Sequence, residues 1–172
     1  RGESEQPTAE WLAAVSWLAR GASFAERWDV AERYAREAHD GSVALLDERD
    51  LDAENQLPLA LGAGIEVLGR AQDAKGDHTG AVEFLVTQRA RYRGTSIETR
   101  IQKNVLLLSL TGQPFPVLDV DHHLGEALPS ADSLKGQVVV AFFWAHWCGD
   151  CKQQLPILEQ LHENYGERGV AI

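Results

Sequence analysis

Cys148 and Cys151 are the only cysteines in the 172 residues, and two residues, Gly149 and Asp150, separate them. An apolar run precedes the pair and a helix-like pattern follows it. Two thiols at this spacing fit on one helical turn, close enough to form a small disulfide ring. Cys148 falls at the expected helix N-terminus, where free backbone N–H groups and the helix dipole favour negative charge. Its thiolate is then more accessible near neutral pH than that of a free cysteine. The implied chemistry is attack of the Cys148 thiolate on a disulfide, a mixed-disulfide intermediate, and resolution by Cys151. Cys151, one turn in, is expected to be the more buried of the two.

This pair requires a strand to end at it and a helix to start from it. Val138–Ala145 is β-branched and aromatic on both faces, the pattern of a central strand covered on both sides. From Asp150 to Tyr165, Leu155, Leu158 and Leu161 recur every three residues and predict a helix. Gly166–Gly169 ends it, and Val170–Ile172 starts another strand. Strand, helix and strand in this order favour a right-handed parallel crossover. Upstream, Phe115–Val120 reads as a short strand and Asp121–Lys135 as a polar, turn-rich segment.

Residues 8–110 read as helices. Trp11, Val15 and Leu18 form one apolar stripe. Ser23 with Glu26 fits a capping box opening a second helix, with Phe24, Trp28, Ala31, Ala35 and Ala38 on its buried face. Gly41 reads as a break before Val43–Leu46. Leu57, Leu61, Gly64 and Leu68 mark a third helix, with Pro58 tolerated in its first turn. Gly76-Asp77 is a turn. Ala81, Leu85 and Gln88 line the next helix, with Val82 and Val86 beside them. Thr95 with Glu98 is a second capping box, leading into Ile97, Ile101, Val105 and Leu108. Gly112-Gln113-Pro114 stops that helix.

Two resemblances follow from these residues. Phe143-Trp144-Ala145-His146-Trp147-Cys148-Gly149-Asp150-Cys151-Lys152, with Pro156 beyond it, resembles the active site of thioredoxin. Gly112–Pro116 and Ser133–Val140 resemble the extracytoplasmic TlpA/ResA branch, which is related to the AhpC/TSA redoxins and carries an extra N-terminal strand. This resemblance covers residues 112–172. It implies an α/β thioredoxin-like fold, thiol–disulfide exchange with protein partners, no bound cofactor, and a place outside the cytoplasm. Cys148 takes the nucleophile's position and Cys151 the resolver's, with Trp144, His146, Trp147, Gly149, Asp150 and Pro156 as support. The helical part, residues 1–111, resembles irregular tetratricopeptide-type hairpins through Leu68-Gly69, Gly76-Asp77, Ala81 and Leu85. Gln72 and Gln88 depart from that pattern, and no second copy lies at the usual offset of about 34 residues.

The C-terminal part departs from its family in three ways. Asp150 replaces the proline common between the cysteines, and its charge is expected to raise the Cys148 pKa. Phe142 and Gln154 occupy places where relatives carry carboxylates, which leaves the base for Cys151 to solvent or to a group beyond residue 172. The cis-proline loop and later strands of the fold have no counterpart. The expectation is that the chain is a fragment, or that a partner chain completes the sheet. With no methionine anywhere, the chain is also expected to start downstream of a true start, where a signal or membrane anchor can have been removed.

Charge narrows the partners. The net charge is -10, shared evenly: 13 basic against 18 acidic residues over 1–112, and 3 against 8 over 113–172. That argues against nucleic acid and anionic membrane surfaces. Rival readings stand beside this one, the plainest being that the two cysteines are structural. Cys148 and Cys151 have zinc-ligand spacing and His146, His122 and His123 offer nitrogens, but adjacent histidines in a polar loop are more often solvated. Peroxiredoxins place Pro and Thr where this chain has Ala141 and Ala145. Asp47–Glu54 has acidic residues but puts Asn55 and Leu61 where a calcium loop needs Gly and Glu. A protein-binding module, in which the helical domain recruits a partner and the thioredoxin-like part docks, is the alternative to an enzyme. Arg89, Arg91 and Arg93 suit a helix C-terminus.

Overall fold

The computed structural model describes residues 7–115, 121–122, 129–130 and 132–172. The chain divides into two compact units, Arg1–Gln113 and Pro114–Ile172.

The first unit is helical: α1 (Ala9–Phe24), α2 (Trp28–Leu45), α3 (Gln56–Ala74), α4 (His78–Arg91) and α5 (Glu98–Ser109). Its largest fully buried side chains are Leu12, Leu57, Leu61, Ile65, Leu85 and Ile101. A second cluster of Ala19, Ala31, Ala35 and Val67 forms where α1, α2 and α3 meet through small residues. Glycines set how closely the helices approach. A Cβ at Gly69 would stand 2.9 Å from Leu85 Cδ2, so α3 and α4 meet closely at that point. A Cβ at Gly64 would stand 3.1 Å from both the Ala35 carbonyl oxygen and the His39 nitrogen, so α3 runs against the backbone of α2.

The turn between α3 and α4 follows its sequence. Gly76 takes a φ of 95°, a left-handed value that glycine adopts without steric cost. Asp77 then caps α4 by accepting the Gly80 N–H at 3.0 Å, while Gln72 Nε2 donates to its other oxygen at 2.8 Å. The Gln72 amide and the Gly80 N–H hold the Asp77 carboxyl below its ordinary value. A carboxyl whose pKa is depressed by folding contributes stability above its unfolded pKa and loses it as pH falls through the folded pKa. Asp77→Ala is therefore expected to lower the melting temperature at pH 7. The gap to wild type should narrow in melts taken below the carboxylate range; a gap independent of pH would contradict this role.

Several sequence expectations are corrected. Ser23 does not open a helix: it is buried in the last turn of α1, and α2 starts at Trp28 after Arg27, with no side-chain cap. Gly41 does not break α2, which continues to Leu45; a Cβ there would run into Leu12, so the glycine serves close packing. The Thr95–Glu98 box does not form. Thr95 Oγ1 donates to the Tyr92 carbonyl, and Glu98 accepts the Gly94 N–H at 2.7 Å, one residue before the expected Thr95 N–H. On α1, Val15 is buried but Trp11 and Leu18 are exposed, and so is Phe24. This helix is apolar all round, so periodicity alone could not select its inward face. The buried stripes of α3 to α5 match expectation at Leu57, Leu61, Gly64, Ala81, Leu85, Gln88, Ile97, Ile101 and Val105.

Acidic residues near the loop before α3 serve local structure. Asp50 caps a short 3-10 turn, Leu51–Ala53, and Asp52 accepts both the N–H and the hydroxyl of Ser96. A partly buried pair joins α3 to α5, with Arg100 Nε donating to Glu66 Oε2 at 2.8 Å.

The second unit contains β1 (Val138–Val139), α6 (Gly149–Tyr165), a 3-10 turn (Gly166–Arg168) and β2 (Val170–Ala171). The strands pair in parallel with Val138 opposite Val170 and Val139 opposite Ala171. Val138 N–H donates to Gly169 O at 2.9 Å, and Val140 N–H to Ala171 O at 2.8 Å. The strand–helix–strand order is as expected, but the long covered strand is not. Only two residues of Val138–Ala145 are paired, and Val138 is 65% exposed. A ladder extends only as far as its neighbour, and β2 is two residues long. Apart from Phe115, the strand expected over Phe115–Val120 lies outside the described residues, as does much of the polar segment that follows.

Candidate functional site

The cysteine pair stands where β1 leads into α6. After the strand the chain turns, and the Cys148 N–H donates to the Ala145 carbonyl at 3.0 Å. Cys148 then takes an extended conformation as the residue that caps α6. Its Sγ accepts the Cys151 N–H at 3.2 Å, and its carbonyl accepts the Lys152 N–H at 3.3 Å. A sulfur thus occupies the place usually taken by a serine or aspartate oxygen at a helix start. Cys148 and Cys151 are joined as a disulfide with their Cα atoms 5.3 Å apart, within the ordinary range for such a bond.

Both cysteines are half-buried, so the deeper burial expected for Cys151 is not seen. Gly149 and Asp150 form the first turn of α6 and are exposed, with the Asp150 carboxylate at the positive end of the helix. Trp144, His146 and Trp147 are exposed on the approach to the pair. Among the described residues no hydrogen bond ties these three to either sulfur. Pro156 lies inside α6, exposed, and removes the N–H that would pair with the Lys152 carbonyl. Phe142 is half-buried and Gln154 exposed, and neither offers a carboxylate to Cys151. The backbone partners of the pair, the Ala145 carbonyl and the Cys151 N–H, escaped sequence reasoning because no side-chain type announces them.

With both sulfurs bonded to each other, neither is available as a metal ligand in this state. His122 is exposed, and His123 lies outside the described residues. Among the described residues no three His, Cys, Asp or Glu side chains converge as a metal site. No helix among them is long and apolar enough to cross a membrane.

The sequence around this site has counterparts among known proteins. Residues 111–172 match the AhpC/TSA family. The same region is similar to the thiol-disulfide oxidoreductase ResA of Oceanobacillus iheyensis, with 31% identity over 58 residues, 34% of this chain and 30% of that protein. It is similar to the thioredoxin-like protein YneN of Bacillus subtilis, with 35% identity over 57 residues, 33% of each chain. Thioredoxin of Bacillus subtilis shares 49% identity over 39 residues, 23% of this chain and 36% of that protein. The chain spans about a third of the length of these curated relatives. No solved structure matches it. These likenesses support a thioredoxin-like redox domain of the thiol–disulfide oxidoreductase kind in the C-terminal part.

Proposed function

We propose that the protein is a thiol–disulfide oxidoreductase acting on protein partners, with Cys148 as nucleophile and Cys151 as resolver. The observation that carries this is the Cys148 sulfur at the N-cap of α6, accepting the Cys151 N–H and bonded to the Cys151 sulfur. Reduction of the pair frees a thiolate at the positive end of the helix. That thiolate attacks one sulfur of a partner disulfide; the partner S–S bond breaks, and its electron pair leaves on the second partner sulfur, which takes a proton from solvent. The Cys151 thiol, once deprotonated, attacks the mixed disulfide at Cys148 and releases the other partner thiol. Two electrons pass to the partner, and Cys148–Cys151 is oxidised. The reverse sequence oxidises a partner dithiol. Insulin reduction by dithiothreitol, with and without the protein, tests the activity; no acceleration would refute it.

Trp147 and Trp144 offer exposed aromatic surface for a partner chain beside the pair. Asp150 sets the redox poise. Its charge opposes the Cys148 thiolate, so Asp150→Asn is expected to lower the Cys148 pKa by less than about one unit, given the solvent around it. The pair then becomes more oxidising, measured by thiolate absorbance and by equilibration with glutathione. An unchanged or higher pKa would contradict this role. Peroxide reduction is disfavoured, since Ala141 and Ala145 supply no hydroxyl beside Cys148.

The rest of the assignment rests on resemblance. Residues 112–172 are taken as part of a thioredoxin-like domain. Residues 1–111 are taken as a tetratricopeptide-like domain able to hold a protein partner; the Gly69–Leu85 approach and the Asp77 cap support this reading. An extracytoplasmic location follows from the likeness to the TlpA/ResA branch.

A further inference from the structure

We propose that the chain self-associates through α1 as an antiparallel, two-fold symmetric dimer. The exposed residues of α1 are Glu10 and then only Trp11, Ala14, Trp17, Leu18, Gly21 and Phe24. Trp11 is 48% exposed, Trp17 57%, Leu18 54% and Phe24 69%. The opposite face of the helix is already buried through Leu12, Val15 and Ala19, so this stripe is a second apolar face. A continuous apolar stripe of this size is often functional.

The pattern itself specifies the occupant. The six apolar positions are spaced 3, 3, 1, 3 and 3 residues apart, symmetrical about the midpoint between Trp17 and Leu18. Helical geometry puts Ala14 and Gly21 along the midline, Trp11 and Leu18 on one flank, and Trp17 and Phe24 on the other. A two-fold axis perpendicular to the helix at that midpoint sets Ala14 of one copy opposite Gly21 of the other. The two Leu18 side chains then meet on one flank and the two Trp17 rings on the other. A self-complementary patch is what a two-fold interface requires. A Cβ at Gly21 would meet nothing within 4 Å in the single chain, so the notch at the centre is open for the other helix. Arg20 stacks over the Trp17 ring at 4.5 Å, placing a cation at the rim.

The area is sufficient. From typical side-chain areas of about 150–250 Å², the four large residues leave roughly 500 Å² exposed per chain. Complete cover of these four side chains in two copies would bury about 1,000 Å², the lower bound for a specific interface.

Sedimentation velocity of the whole chain at about 100 µM, under reducing conditions, is expected to give twice the chain mass, since interfaces of modest area reach micromolar dissociation constants. Gly21→Leu makes the face more apolar and is open to substitution in the single chain, yet it fills the notch. It should weaken self-association at least about tenfold with unchanged helicity; stronger association would overturn the packing. Cross-linking tests the register in a Cys148→Ser, Cys151→Ser background. Mixed Ala14→Cys and Gly21→Cys chains should oxidise to a disulfide-linked dimer, while neither alone should. A monomeric wild type, or efficient cross-linking by either single variant alone, overturns the proposal.

Discussion

Cys148→Ser is expected to leave disulfide reduction at the rate of a chain lacking both cysteines. The hydroxyl retains the capping position but cannot supply a thiolate, and exchange proceeds only through one. Cys151→Ser has a different signature. Its Cys148 still attacks, but no sulfur stands one turn further along α6 to release the partner, so the mixed disulfide accumulates. Non-reducing electrophoresis after incubation with oxidised insulin should show an adduct for Cys151→Ser that dithiothreitol removes, and none for Cys148→Ser. An adduct in Cys148→Ser would exchange the two roles. Full activity in either variant would remove the pair from the mechanism.

Gly64→Leu is expected to have the largest effect on stability. The backbone of α2 already lies 3.1 Å from where a Cβ would stand, and backbone cannot rotate aside as a side chain can. The insertion forces α2 and α3 apart across the junction packed by Ala31, Ala35 and Val67. Overpacking of this kind costs about 3 kcal/mol, the upper end for a forced core insertion. In a domain of about 100 residues that corresponds to a fall in melting temperature on the order of 10 °C or more. Thermal unfolding followed by far-UV circular dichroism measures it. A melt within a degree of wild type would mean that the two helices are not held at this separation.

The cysteine pair was legible because its chemistry is written in residue type and spacing, and its place between strand and helix required only local pattern. Helices α3 to α5 were legible for a related reason: apolar residues recur at helical spacing in each, and Gly76 with Asp77 punctuates the chain between two of them. Helix α1 was not, because large apolar residues occur on both its faces, Leu12 and Val15 on one and Trp11, Trp17 and Leu18 on the other, and burial depends on which neighbours arrive. Gly41 and Ser23 misled in the same way. A glycine that ends one helix can seat a leucine in another, as Leu12 sits at Gly41. A serine three residues before a glutamate caps a helix only where the preceding helix has already ended. The run Val138–Ala145 shows the limit for strands, since apolar residues fit a sheet interior but pairing requires partners, and only β2 provides one among the described residues.

The central claim is that the α6 N-terminus holds the Cys148 sulfur as a reactive anion. The most direct measurement is the rate of iodoacetamide alkylation of the reduced protein as a function of pH, with the modified cysteine located by mass spectrometry. Cys148 is expected to react first, with a midpoint below that of a free thiol at about 8.5. Alkylation of Cys148 no faster than that of glutathione, at every pH, would contradict it.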